Sequence, residues 1–136
     1  MTDDQFLASF NDCTLPKEHF NHLGHVRLAW IQLRRHAFED AVLRTCGGIQ
    51  AYASHLGAAG KFHWTITEAL MHLLRAAGAA EQHLDWPEFL AANADLIGDA
   101  RGRVARHYSA QLLATEDARA RFVTPDLLPL PAAKTA

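Results

Sequence analysis

Three histidines stand three residues apart in the segment EHFNHLGHVRLAW, residues 18–30. In a helix each residue turns by about 100°, so Glu18, His22 and His25 would share one narrow face. His19 would point to the other side of the apolar stripe, as a core or packing residue. Because two imidazoles on adjacent turns can bind one divalent ion, the spacing predicts a metal site with His22 and His25 as ligands.

A third ligand from another helix would complete this site and leave coordination positions open for water or substrate. His63 is the best candidate, because it stands in FHWTIT at a junction of loop and helix, where the helix end shapes the local field. Zinc, iron and copper all accept imidazole ligands. Glu18 is a candidate fourth ligand, or an acceptor that fixes a histidine tautomer. If the protein is an enzyme, Glu18 and His63 are the catalytic candidates.

Two other interpretations of these histidines remain open. Histidines three apart on a partly buried helix are often satisfied by core carbonyls and hydroxyls. Alternatively, a metal-free pocket could use one histidine as a general base. If the histidines are buried and neutral, the fold should lose stability as the pH falls below about 6. We predict that four of the other histidines lie on the surface, and a fifth, beside Tyr108 and Ser109, is ambiguous; these are His36, His55, His72, His83 and, as the ambiguous one, His107.

Composition excludes several classes of protein. The chain has 136 residues, nine of them histidine, and a formal net charge of −2, which leaves no excess of cations to neutralise a nucleic acid. No apolar run approaches the roughly 18 residues of a membrane span, and the N-terminus lacks the features of a signal peptide. Cys13 and Cys46 form no CxxC pair, which is typical of a reducing compartment. We therefore expect a soluble cytoplasmic protein.

The hydrophobic pattern predicts an all-α fold, because no segment alternates with period two. We expect one compact domain over residues 1–136, a bundle of about five to six helices that ends in a Pro-rich surface tail over about residues 126–136. A homodimer is one alternative, since the second long helix has a wide apolar stripe. The predicted helices cover about residues 3–10, 16–36, 38–57, 65–77 and 85–93, followed by one broken helix or two short ones within 99–123.

Local signals predict where several of these helices begin. A Ser, Thr, Asp or Asn before a helix can accept a hydrogen bond from its free N–H groups, and Pro fits the first turn. Gly24, inside the second predicted helix, costs about 1 kcal/mol relative to alanine and therefore suggests a close contact with a neighbouring helix. The predicted start signals are Thr14 with Pro16, Thr65 or Thr67, Asp85 before Trp86 and Pro87, and Thr115.

Three windows of the chain, LPKEHFNHLGHVRLAW, KFHWTIT and HYSAQLLATEDARARFVTPDLLPLP, carry a resemblance. Together they span about residues 14–131. They resemble a family of small all-α bacterial and fungal proteins of unassigned activity, with the pattern LP…(W/F)THxAHL…A, then (G/K)YHETIT, then YS…AR…F…PDL.PLP. The resemblance implies that His22, His25 and His63 are the matching histidines, and it leaves His19 outside the pattern.

The resemblance also ties residues near the C-terminus to the same pattern. Leu23 and Trp64 stand where members of that family carry glutamate, so a carboxylate-bridged site is in doubt, whereas a three-histidine site with Glu18 or Glu68 nearby is compatible. The C-terminal pattern residues are Tyr108, Ser109 and Arg119, which are candidates for binding a cofactor, together with Pro125 and Asp126.

The leading expectation is a His-rich polar site that binds a divalent transition metal through His22, His25 and His63. As a small-molecule metalloenzyme, such a protein would activate water or dioxygen at the open positions. The alternative is a non-catalytic helical module that binds a small ligand or a partner and whose histidines are structural. The sequence alone leaves open whether the protein is an enzyme.

Overall fold

The structure, a computed structural model, describes residues 1–81 and 83–132. These residues contain helices and no strand, which confirms the all-α class. The helices are shorter and more numerous than the five to six predicted, because residues 86–120 form five short ones. The α-helices are α1 (Asp3–Asn11), α2 (His22–Arg35), α3 (Phe38–His55), α4 (Trp64–Ala76), α5 (Trp86–Ala92), α6 (Ala94–Gly98), α7 (Ala100–Val104), α8 (Ala110–Leu113) and α9 (Glu116–Ala120).

The chain divides into two compact units, one from Met1 to Phe62 with α1–α3 and one that begins at His63 with α4–α9. A single domain over the whole chain stays a prediction. No helix within the described part of the chain has the length and apolar character that crossing a membrane requires. Of the predicted tail, residues 126–132 are not helical, and residues 133–136 lie outside the described residues.

An aromatic cluster links the elements of the first unit. The ring of Phe10, on α1, lies 5.0 Å from that of Phe20 and 5.4 Å from that of Tyr52 on α3, measured between centroids. The Tyr52 hydroxyl donates a 2.5 Å hydrogen bond to the carbonyl of Leu15. Both α1 and α2 pack against α3. The cluster therefore fixes the segment that leads into α2.

The second helix begins later than predicted, at His22 instead of near Pro16. Lys17–His19 form a 3-10 turn, and the Asn21 side chain caps α2 by accepting a 3.0 Å hydrogen bond from the Gly24 N–H. A Cβ atom on Gly24 would lie only 2.4 Å from the His19 carbonyl oxygen. The close contact predicted for Gly24 is thus with the preceding turn and not with a neighbouring helix.

In the second unit, α4 packs against α7 and α9. Ala69, Val104 and Tyr108 form a fully buried cluster against which several partly buried apolar residues pack. Two predicted start signals are confirmed: Asp85 forms a reciprocal capping box with Glu88, and Thr115 caps α9. The partly buried residues of the cluster are Leu73, Leu112, Leu113, Val123 and Leu130.

Candidate functional site

The late start of α2 separates the histidine group that the spacing predicts. Glu18 and His19 lie in the 3-10 turn before the helix, and both are exposed. The prediction that Glu18 shares a helical face with His22 is therefore wrong, because the two residues do not belong to one helix. His19 is likewise not a packing residue; its backbone carbonyl, and not its ring, makes the close contact with Gly24.

His25 is held in one tautomer at the start of α2. Its Nδ1 lies 2.8 Å from the carbonyl oxygen of Asn21, which can only accept, so Nδ1 carries the proton and Nε2 keeps a lone pair. The ring stacks on Phe20 with centroids 4.0 Å apart. Burial lowers the pKa of His25, the hydrogen bond to Asn21 opposes that shift, and the charge of His22 lowers the pKa further. The hydrogen bond to Asn21 and the stacking on Phe20 thus fix the orientation of the His25 ring.

His63 uses both of its ring nitrogens on the backbone of the second unit. Its Nδ1 accepts a 3.1 Å hydrogen bond from the N–H of Ile66, which makes His63 the N-cap of α4 in place of the predicted Thr65 or Thr67. Its Nε2 therefore carries the proton and donates to the Leu113 carbonyl at 2.7 Å. To bind a metal through either ring nitrogen, His63 would have to give up one of these two hydrogen bonds.

The three predicted metal ligands belong to different units, His22 and His25 to the first and His63 to the second. His22 is exposed at the first position of α2. Among the described residues, no group of three or more His, Cys, Asp or Glu side chains is arranged to hold a metal ion. A metal site built from these three histidines stays a prediction.

Two of the three residues predicted to bind a cofactor, Tyr108 and Ser109, hydrogen-bond to the C-terminal segment, and their role in binding a cofactor stays a prediction. The Tyr108 hydroxyl donates to the Val123 carbonyl at 2.7 Å, and burial, with smaller effects from nearby carboxylates, raises the pKa of Tyr108 to about 12. Ser109 donates its N–H and its hydroxyl to the Asp126 carboxylate at 2.8 and 2.6 Å. The hydroxyl bond is the main reason that the pKa of Asp126 lies below its usual value. Arg119 is exposed on α9.

Further contacts fix the same segment. The N–H of Leu127 donates to the His107 carbonyl at 3.0 Å, and the His107 Nδ1 lies 3.1 Å from the Leu128 carbonyl oxygen. Thr65 is fully buried, donates to the Arg121 carbonyl at 2.7 Å and accepts from the Val123 N–H at 3.2 Å. The segment 121–128 is thus held by side chains from α4 and from the turn between α7 and α8.

A polar row along α4 was missed by the sequence reasoning. The Trp64 indole donates to Glu68 at 3.0 Å, and the other Glu68 oxygen lies 3.6 Å from the His72 Nε2. Arg75 Nη2 approaches the His72 Nδ1 at 3.4 Å. His72 was predicted on the surface, but only 18% of its side chain is exposed, because Phe122 covers its ring. The four-residue spacing of Trp64, Glu68 and His72 was the available signal.

A cavity of about 520 Å³ opens in the second unit between α4, the end of α5, α6 and α7. Its polar lining comes from Asn93, Asp95 and Arg103. The sequence reasoning singled out none of its residues. Apolar side chains make up most of the remaining wall, among them Leu73, Ala76, Ala77, Ala92, Leu96 and Pro131.

Fold and site together define an all-α protein with an open cavity in its second unit, and the described rings of His25, His63 and His107 hydrogen-bond to backbone atoms. No family model, no curated protein and no solved structure matches the chain. The function of the protein is therefore inferred from the geometry of these residues.

Proposed function

We propose that this protein is a non-catalytic helical module that binds a small organic molecule in the cavity of its second unit. A volume of about 520 Å³ falls in the range of roughly 300–1,000 Å³ that is usual for such sites. Its lining combines alanine and leucine side chains with polar groups that could fix the orientation of a ligand. A cytoplasmic location, inferred from the cysteine usage, and the lack of nucleic-acid partners, inferred from the charge, belong to the same proposal.

The state of His63 supports binding over metal catalysis. Its two hydrogen bonds, to Ile66 and Leu113, engage both ring nitrogens, so binding a metal or a substrate through this ring would cost one of them. The observation that carries the proposal is nevertheless the cavity, because a structural histidine alone indicates no function. The cavity is open to solvent, since Ala91, Ala92, Ala94 and Asp95 in its wall are exposed, so a molecule from solution can enter it.

The test is a screen of a fragment library by ligand-observed NMR, with wild type and a variant whose cavity is filled. Ala92→Trp would place an indole in the cavity, where Ala92 forms part of the wall. Ala105→Trp is the matched control, because Ala105 is exposed, does not line the cavity and has helical backbone angles that any side chain tolerates. We expect fragments that bind wild type and the control and lose binding to Ala92→Trp. Fragments that bind all three alike, or no binding at all, would overturn the proposal.

A second candidate function is metal binding at the start of α2, which one observation favours. The Asn21 carbonyl orients the ring of His25 with its Nε2 lone pair available, an arrangement common among metal-ligating histidines. His22 stands three residues away, and Glu18 precedes both. Metal analysis that finds zinc, iron or copper in protein purified without a tag, and none in His25→Phe, would support this candidate function. The absence of bound metal, together with an unchanged melting temperature when these ions are added, would overturn it.

A further inference from the structure

Two charged side chains line the described cavity, and they differ in their exposure to water. Arg103, on α7, is half-buried, whereas Asp95, on α6, is exposed. Within the described residues neither of them forms an ion pair. The charge of Asp95 is therefore screened by solvent, while the partly desolvated guanidinium acts more strongly on a molecule in the cavity.

The lining then selects the chemistry of a ligand. A guanidinium presents a planar fork of donors that matches a carboxylate with two parallel hydrogen bonds. One guanidinium balances a single negative charge, whereas phosphomonoesters carry about −1.5 to −2 at neutral pH, so a monocarboxylate matches Arg103 better. The alanine and leucine wall requires an apolar body. Resting on the proposed function, we infer that the ligand is a small amphipathic monocarboxylate whose carboxylate contacts Arg103 and whose apolar part lies against Leu73 and Ala92.

A series of three compounds that share one alkyl chain tests this inference. Hexanoate, 1-hexanol and hexylammonium would be titrated against the full-length protein by NMR. A charge-assisted pair of hydrogen bonds should make hexanoate bind roughly tenfold more tightly than 1-hexanol. Hexylammonium should bind most weakly, because its cation would face Arg103. Equal affinity of hexanoate and 1-hexanol for wild type would overturn the inference.

Variants then assign the preference to Arg103. Arg103→Gln should abolish the tenfold preference for hexanoate over 1-hexanol, whereas Arg103→Lys should keep part of it. Arg101→Gln is the matched control, because Arg101 lies exposed on the same helix and does not line the cavity. A preference that survives in Arg103→Gln would overturn the inference. If none of the three compounds binds, the inference falls, but the proposed function stands as long as library fragments still distinguish wild type from Ala92→Trp.

Discussion

Thr45 and Thr65 offer a matched pair for testing the polar contacts, because both side chains are fully buried, with 0% exposure. The hydroxyl of Thr65 has two hydrogen-bond partners, the Arg121 carbonyl and the Val123 N–H. The hydroxyl of Thr45 has no partner among the described residues. Valine has nearly the same shape, with a methyl group in place of the hydroxyl. We therefore expect Thr45→Val to raise the free energy of unfolding and Thr65→Val to lower it.

The magnitudes follow from the cost of unpaired polar groups. A buried polar group without a partner costs about 1–3 kcal/mol, so Thr45→Val should gain about 1 kcal/mol. Thr65→Val removes two hydrogen bonds and leaves a carbonyl and an N–H unpaired near the core, which should cost about 2 kcal/mol. The two variants should thus differ by about 3 kcal/mol, or roughly a hundredfold in the folding equilibrium.

Urea unfolding followed by circular dichroism measures both changes, with equal m-values as the check that only the stability has changed. Amide exchange at Val123 should also accelerate in Thr65→Val, since this N–H loses its acceptor. If both valine variants lose or gain stability by the same amount, hydrogen bonding does not distinguish the two sites and the reasoning is refuted.

Three further predictions concern the residues around the histidines. His63→Ala should lower the free energy of unfolding by about 2 kcal/mol, and His63→Asn should recover about half of that by restoring the cap of α4. If urea unfolding shows the same loss of free energy in both variants, His63 does not act as the cap. Burial holds the pKa of His25 in the folded protein below its ordinary value of 6.5, so the unfolded chain binds this proton first as the pH falls. The contribution of neutral His25 to the free energy of unfolding is therefore complete above pH 6.5 and is lost as the pH falls toward the lower pKa of the folded protein. The melting temperature should therefore fall less between pH 6.5 and lower pH in His25→Phe than in wild type. Parallel plots of melting temperature against pH for the two proteins would contradict this prediction. Gly24→Ala should destabilise the protein, because the new Cβ would lie 2.4 Å from the His19 carbonyl oxygen. Gly47→Ala should stabilise it by up to about 1 kcal/mol, because a Cβ there would have no neighbouring atom within 4 Å. Thermal melts of the two variants should therefore shift in opposite directions from wild type.

The parts of the fold that depend on local signals could be predicted from the sequence. The absence of strand periodicity gave the all-α class, and Asp85 and Thr115 marked helix starts that the structure confirms. These signals work because a capping side chain bonds to N–H groups only two or three residues away. Cys46 falls on the apolar stripe of α3 and is fully buried there.

The starts of α2 and α4 could not be predicted, because each depends on a contact that the local pattern does not encode. The pattern from Pro16 onward is compatible with a helix, but Asn21 caps a later start and the His19 carbonyl occupies the space beside Gly24. At α4 the signal favoured threonine, yet the cap is His63, which is fixed by a carbonyl 50 residues away. A histidine looks the same in sequence whether it binds metal or backbone, so only the positions of its partners distinguish the two roles.

The hydrogen-bond partners of His63 and Thr65 connect distant segments of the second unit, so these segments depend on one another structurally and need no common catalytic role. His63 bonds to Leu113, which packs on the buried Tyr108, and Tyr108 and Thr65 both hold Val123. The same segment continues to Pro131, which forms part of the cavity wall. Under the proposed function, substitutions along this chain of contacts should therefore alter fragment binding in the cavity without contacting the fragment. In the first unit the Nε2 lone pair of His25 is not consumed by its tautomer-fixing bond, so any chemistry of the histidines is better sought there than at His63.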